Sequence, residues 1–338
     1  MKKNLEINSN NNLNSIKFIC ALLVILHHSY PIVFGEKYID PIRKITNLQF
    51  SFGNFSVIIF LFIAGMLITK SYLKSKGNIA FLKKRLKRLL PSLIIVIFLT
   101  VFIIGPIFTQ LSLKSYFLNF DIYKYLIMNS LLITNHTLPV FLDNPYNLSP
   151  NGALWTLPVE FLCYIGTVIL GLLKVLKSKL IKTLPFIVLF INIFQSIFIR
   201  YVGGLWSAIQ AILFFLMGMS VYFYKDKIKL SIKFFIVSLL AIIISIIFNI
   251  YSYVNIILIP YIVIFVAFYP KKQNKTLNKF GNYSYEIYLL GFLVQQCVAT
   301  VFTIKNPYFN FIISLPFVFA LSFIVNKIVE YVNKKVLD

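Results

Sequence analysis

Residues 14–35 read NSIKFICALLVILHHSYPIVFG. At 1.5 Å rise per residue, about 20 apolar residues in a helix cross a hydrocarbon core ~30 Å thick, and this run is long enough. Yet it carries Lys17 near its start and His27 and His28 near its far end. Ionisable groups inside a span are expensive and usually face the bundle interior or a water-filled cavity. The stretch therefore makes two statements: the chain enters a membrane, and polar chemistry enters with it.

The rest of the chain repeats the first statement. Of 338 residues 59% are hydrophobic and 13% charged, with 35 Phe, where soluble domains carry about a quarter charged residues. Apolar runs recur at 14–34, 52–70, 89–108, 122–135, 152–173, 181–199, 205–223, 234–250, 252–270, 283–304 and 308–330. The fold class expected is all-α: a polytopic membrane protein of about ten transmembrane helices plus one re-entrant or interfacial segment. The whole chain, 1–338, reads as one integral-membrane domain with no appended soluble domain, and residues 1–12 as a disordered cytoplasmic tail.

The net charge of +23 invites a nucleic-acid reading, but its distribution argues against one. Of the 33 basic residues, 25 fall in six alternate regions: Lys2 and Lys3, Lys70 to Arg88, Lys174 to Lys182, Lys225 to Lys233, Lys271 to Lys279, and Lys327 to Lys335. Such alternation is the positive-inside rule, and it places both termini in the cytoplasm. It holds only if the short 122–135 run does not cross. The segment after that run, HTLPVFLDNPYNLSPNG (136–152), has no Lys or Arg, so both flanks look external. Irregular backbone at that depth is tolerated only where protein buries it or water reaches it.

Other classes are excluded by absence. Cys20, Cys163 and Cys297 lie inside apolar runs, giving no disulfide framework. Three histidines with no shared acidic cluster make no metal site; His136 reads as a solvated loop residue. The N-terminal apolar core is long and lacks a small-residue cleavage site, so it reads as an anchor that is kept. No fixed-period repeat and no Gly-rich phosphate loop is present.

Lys17 and His28 are eleven apart, three helical turns plus about 20°, so both lie on one face about 16 Å apart along the axis. One reading is structural: Lys17 snorkels to the headgroups and the histidines sit near the outer interface. The other is a functional face. In FLKKRLKRLLPSL (81–93), Arg85 and Arg88 are three apart and suit bidentate phosphate contacts; attraction to an anionic leaflet explains them equally. In NGALWTLPVEFLCY (151–164), Asn151 can cap a helix and Glu160 then lies about 13 Å below that end. His28 with Glu160 could supply a general base and its orienting carboxylate. A carboxylate tying two helices together is the alternative.

Taken in order, these stretches resemble the acyltransferase-3 family of membrane O-acyltransferases. Lys17 to His28 with Ser29-Tyr30-Pro31 resembles its first motif, and Ala64-Gly65-Met66-Leu67-Ile68 the end of its second helix. Arg85, Arg88 and Pro91 resemble its basic third helix. Leu154-Trp155-Thr156-Leu157-Pro158-Val159-Glu160 resembles its Trp-Thr-Leu-x-x-Glu signature, and Tyr283-Ser284-Tyr285-Glu286-Ile287-Tyr288-Leu289 a stretch of its late helix. Five matches in order on a ten-span frame make the likeness specific.

The resemblance implies transfer of an acyl group, acetyl first among the options, from cytoplasmic acetyl-CoA to a hydroxyl of an extracytoplasmic acceptor. The acceptor would be a surface polysaccharide or lipid-linked oligosaccharide, and the enzyme would work in the bacterial cytoplasmic membrane among its lipids, with no metal. It makes His28 the catalytic base, with Lys17 orienting the donor where most members carry Arg, and Glu160 supporting the outer site. Arg85, Arg88 and Lys84 would bind CoA phosphates, and Trp155 and Tyr30 would meet the acceptor. Lys is no substitute for Arg where planar bidentate contacts are needed. Ala64 replaces a usual Ser, and Gly291 stands where many members have a His. Some members carry an external glycan-presenting domain; this chain is expected to work alone or with a partner. The competing class is a transporter or flippase of a glycan-lipid intermediate, which predicts broken helices and symmetric halves that the sequence does not display.

Overall fold

The computed structural model describes residues 2–7, 10–270 and 272–336, and the chain is a multi-pass helical membrane protein. Its principal helices are α1 (Leu13–Phe34), α2 (Phe52–Lys74), α3 (Asn78–Leu99), α4 (Phe120–Ser130), α5 (Thr156–Leu172), α6 (Leu184–Ile193), α7 (Gln195–Val202), α8 (Trp206–Tyr224), α9 (Ile232–Ile247), α10 (Tyr251–Phe268), α11 (Ser284–Phe302) and α12 (Pro307–Val336). Among the described residues eight helical stretches have the length and apolar composition to cross a membrane, and α9 is a shorter apolar helix. Each apolar run of the sequence is helical. The 181–199 run is divided between α6 and α7 at Phe194, and the 122–135 run yields only the 11 residues of α4. That is about 16 Å of helix, half of a bilayer core.

The chain forms two compact units that interleave along the sequence. The first comprises residues 1–20, 41–82 and 159–282, and the second residues 21–40, 83–158 and 283–338.

The core of the first unit is the crossing of α2 on α8. A Cβ at Gly65 would stand 2.0 Å from the Phe215 carbonyl oxygen, and one at Gly218 would stand 2.1 Å from that of Phe62. Each helix thus presents a glycine to the other's backbone, the close approach that small residues permit in lipid, where apolar burial gives little drive for association. Asn54 donates to Gln210 at 3.0 Å beside the crossing, and Ser51 caps α2 by accepting from the Asn54 backbone N–H.

The expectation of an unstructured tail over residues 1–12 is corrected here for the described residues; Met1, Asn8 and Ser9 lie outside them. Lys2–Asn4 pairs antiparallel with Lys229–Ser231. Leu5 follows, 2% exposed, its N–H bonded to the Ile228 carbonyl at 3.1 Å, and the Asn12 N–H bonds Ala267. One buried leucine and a paired backbone order a segment whose composition is polar.

In the second unit α11 and α12 pack antiparallel. Gln295 donates to Asn310 at 2.9 Å and to the Ile25 carbonyl of α1 at 2.9 Å, and Asn310 donates back to the Gln295 carbonyl at 3.0 Å. Past α3, residues Thr100–Ile104 form a π-helical turn, a feature that usually needs a side chain to satisfy the displaced ladder. Tyr116 does so, its hydroxyl donating to the Val101 carbonyl at 2.9 Å. Gly105 makes room for it, since a Cβ there would lie 1.8 Å from the Tyr116 oxygen.

Candidate active site

α1 brings His28 into the second unit. The imidazole is half-buried and packs against the edge or face of Phe292, with centroids 4.9 Å apart and planes at 72°. Its Nδ1 is buried and makes no hydrogen bond among the described residues. His27 is the imidazole that meets a carboxylate: its Nδ1 lies 3.8 Å from Asp40 Oδ2, and Asp40 is 6% exposed. The two imidazole centroids are 5.8 Å apart. Two residues beyond His28, the Tyr30 hydroxyl donates to that of Tyr308 at 2.9 Å.

Phe292 also joins His28 to the segment after α4. Its ring centroid is 5.3 Å from that of Tyr146, and a Cβ at Gly152 would stand 2.9 Å from its edge. Buried amides hold this 136–152 segment in place. Asn144 donates to the Gln296 side chain at 2.8 Å, Gln296 donates to the Tyr146 carbonyl at 2.8 Å, and Asn151 donates to the Leu289 carbonyl at 2.8 Å. Asn151 also caps the helical turn Gly152–Trp155, which carries Trp155, half-buried. Thr156 and Tyr288 share a hydrogen bond of 2.8 Å behind it. His136 meets Ser149 at 3.0 Å, and partial burial lowers its pKa from the ordinary 6.5.

The basic residues of α3 divide by burial. Arg85 is 7% exposed, while Lys84 and Arg88 are exposed, so the three cations expected to bind phosphate are not equivalent. Further along α3, Ser92 donates at 2.8 Å to Oε1 of Glu286 on α11, which is 4% exposed, and Tyr285 beside it donates to the Leu89 carbonyl at 2.8 Å.

Two expected residues belong to the first unit. Lys17, on the opening turns of α1, is half-buried. Glu160 on α5 is half-buried as well and accepts a hydrogen bond from the Tyr164 hydroxyl one turn later. At Gly291, where a histidine was noted as missing, a Cβ would stand 2.7 Å from Ile25; the glycine lets α11 close on α1. Sequence reasoning passed over Asp40, Phe292 and Glu286 as site residues. Only Glu286 gave a signal, as an acid inside an apolar run.

Comparison with known proteins follows the same lines. A family model described as an acyltransferase domain matches residues 10–327. An O-acetyl transferase of Shigella phage Sf6 is 29% identical over 315 residues, covering 85% of each chain. Nodulation protein 10 of Rhizobium leguminosarum bv. viciae is 27% identical over 159 residues, 46% of this chain and 42% of that one. No solved structure gives a significant match.

Proposed function

The chain belongs to the acyltransferase-3 family, and from that premise we propose that it is a membrane O-acetyltransferase working from acetyl-CoA, with His28 as its general base. The observation that carries the reading is His28 itself: an imidazole within a membrane span, in a chain matched by the family over residues 10–327, held by Phe292 beside a segment pinned by buried amides. The likeness to an O-acetyl transferase favours acetyl as the transferred group and a hydroxyl as the acceptor.

The chemistry proposed at His28 is a single proton's journey. The imidazole takes the proton of an acceptor hydroxyl as that oxygen attacks the thioester carbonyl. The tetrahedral adduct collapses with cleavage of the C–S bond, and the imidazolium returns its proton to the leaving sulfur, leaving an ester and free CoA. Lys17 orients the donor from the opening turns of α1, and Glu160 supports the acceptor side. Arg85, Arg88 and Lys84 bind the CoA phosphates, with guanidinium suited to their oxygens, and Trp155 and Tyr30 meet the acceptor.

We place the basic connections in the cytoplasm of a bacterium, in its cytoplasmic membrane, with the donor reached from that side. The acceptor, a surface polysaccharide or a lipid-linked oligosaccharide, is reached from the other. The test is the O-acyl content of surface glycans by proton NMR in wild type, a deletion strain and the deletion strain expressing His28→Ala at equal level. Loss of one acyl signal in both mutants supports the reading and identifies group and acceptor. Full restoration by His28→Ala overturns it.

A further inference from the structure

We infer that Gln295 is a positioning residue for the base: by bonding the backbone of α1 one turn before His28, it sets where the imidazole stands against Phe292. The inference rests on the reading above of His28 as general base.

No hydrogen bond on Nδ1 orients that ring among the described residues, so its place is decided by the turn of α1 that carries it. α11 meets this turn at three residues. Gly291 lets it close on Ile25, whose side chain a Cβ there would meet at 2.7 Å. Phe292 packs on His28, with ring centroids 4.9 Å apart. One turn after Gly291, the Gln295 amide donates to the Ile25 carbonyl at 2.9 Å. Ile25 and His28 are three residues apart and share a face of α1.

The Ile25 carbonyl does not need Gln295 for its own satisfaction. Helix geometry gives it the Ser29 N–H as partner, and the amide takes its second lone pair. What the added bond supplies is register, because a contact to backbone holds the rotation and rise of α1 whatever its side chains do. Tying α11 to α12 does not need the Gln295 side chain either, since Asn310 donates to the Gln295 backbone carbonyl at 3.0 Å. Gln295 is nevertheless 0% exposed, with its Oε1 buried and making no hydrogen bond among the described residues. An amide with an idle acceptor is costly inside a span. Its two N–H groups are both used, one on Asn310 of α12 at 2.9 Å and one on α1.

The test is Gln295→Met, which keeps the bulk, removes both donors and leaves the Asn310 bond to the backbone. Gln295→Asn keeps the amide but shortens its reach by one methylene, and serves if the first variant folds poorly. Asn310→Leu is the control that loosens α11 from α12 and leaves the amide free to reach Ile25. Thiol release from acetyl-CoA is followed on purified protein in nanodiscs, with glycan extracted from the deletion strain as acceptor. The expected kcat is about tenfold lower in both Gln295 variants, with acetyl-CoA KM within about twofold of wild type. Asn310→Leu lowers the thermal midpoint and keeps kcat within about twofold. In a His28→Ala background, adding Gln295→Met costs nothing further, because residues that act through one group are not additive. An unchanged kcat in both Gln295 variants, beside a low His28→Ala, overturns the inference and leaves the base reading standing. An equal loss in Asn310→Leu, or a further loss in the His28→Ala background, makes Gln295 a general helix tie and also overturns it. A His28→Ala protein that works at the wild-type rate removes the base reading itself, and this inference with it.

Discussion

The ring of His28 lies 4.9 Å from that of Phe292, with the two planes at 72°, and Phe292 in turn meets Tyr146 at 5.3 Å. The imidazole is therefore oriented by an aromatic wall and not by a carboxylate on its Nδ1. Removing the base should lower acetyl transfer by about 10²–10⁴-fold in His28→Ala. Phe292→Leu, which keeps the base and loosens its wall, should lose roughly tenfold in kcat, since small misplacements of a reacting group are costly. Thiol release from acetyl-CoA in the presence of acceptor measures both. An unchanged rate in Phe292→Leu would show that the wall is not needed.

The α2–α8 crossing should be the least tolerant place in the first unit. Gly65→Ala puts a methyl group 2.0 Å from the Phe215 carbonyl oxygen and Gly218→Ala puts one 2.1 Å from that of Phe62. Backbone cannot yield as a side-chain tip does, so each substitution should cost about 1–3 kcal/mol or more. The check is a lowered thermal midpoint in detergent. Gly166→Ala, whose Cβ would meet nothing within 4 Å, is the control that should leave the midpoint unmoved.

Gln296 is the knot that ties residues 136–152 to α11. Gln296→Leu takes their side-chain partner from the carbonyls of Tyr146 and Ser149 and leaves the Asn144 amide only the Gln296 carbonyl at 3.2 Å, at about 1–3 kcal/mol for each buried group left unsatisfied. Hydrogen exchange in 136–152 should accelerate while that of α2 and α8 stays as in wild type. Uniform acceleration across the chain would point to global loosening instead.

His136 gives a pH signature outside the spans. Partial burial lowers its pKa below 6.5, so the unfolded loop binds a proton more readily than the folded one. The stability that neutral His136 contributes is therefore present above pH 6.5 and is lost as pH falls through the lowered folded value. Histidine NMR titration should place its midpoint below 6.5, and Ser149→Ala removes the hydroxyl it meets. A midpoint at or above 6.5 would mean that the ring is solvated.

Arg85 and Lys84 on α3 should not respond alike. Arg85 is buried and Lys84 exposed. Arg85→Lys should weaken CoA binding more than Lys84→Ala does, because a planar fork held in a fixed place is replaced by a point charge. The small effect of Lys84→Ala should fade as salt rises. Equal losses measured by CoA titration would reduce both residues to a diffuse positive field.

Much of this was legible before folding. Apolar runs located every long helix, because periodicity and length are local properties read from consecutive residues. The short 122–135 run was visible as a piece that does not cross, and it became the 11-residue α4. His28 stood out because an imidazole in a span is uncommon. The order near the N-terminus was hidden, since it depends on pairing Lys2–Asn4 with a strand more than 220 residues away. Asp40 was hidden as well, lying in a polar stretch where an acid is unremarkable.

The sequence by itself determined the helices, their apolar character, the family and the placing of Lys17 and His28 on α1. Tertiary structure alone decided that Asp40 goes to His27, that Phe292 walls His28, and that Ser92 bonds Glu286. The reason is physical. The cost of unpaired backbone groups in a bilayer selects helices from local composition, but lipid tails are as apolar as leucine, so hydrophobicity does not choose which helix faces meet. That choice falls to glycine contacts and to buried hydrogen bonds such as Ser92 to Glu286, whose partners lie 194 residues apart.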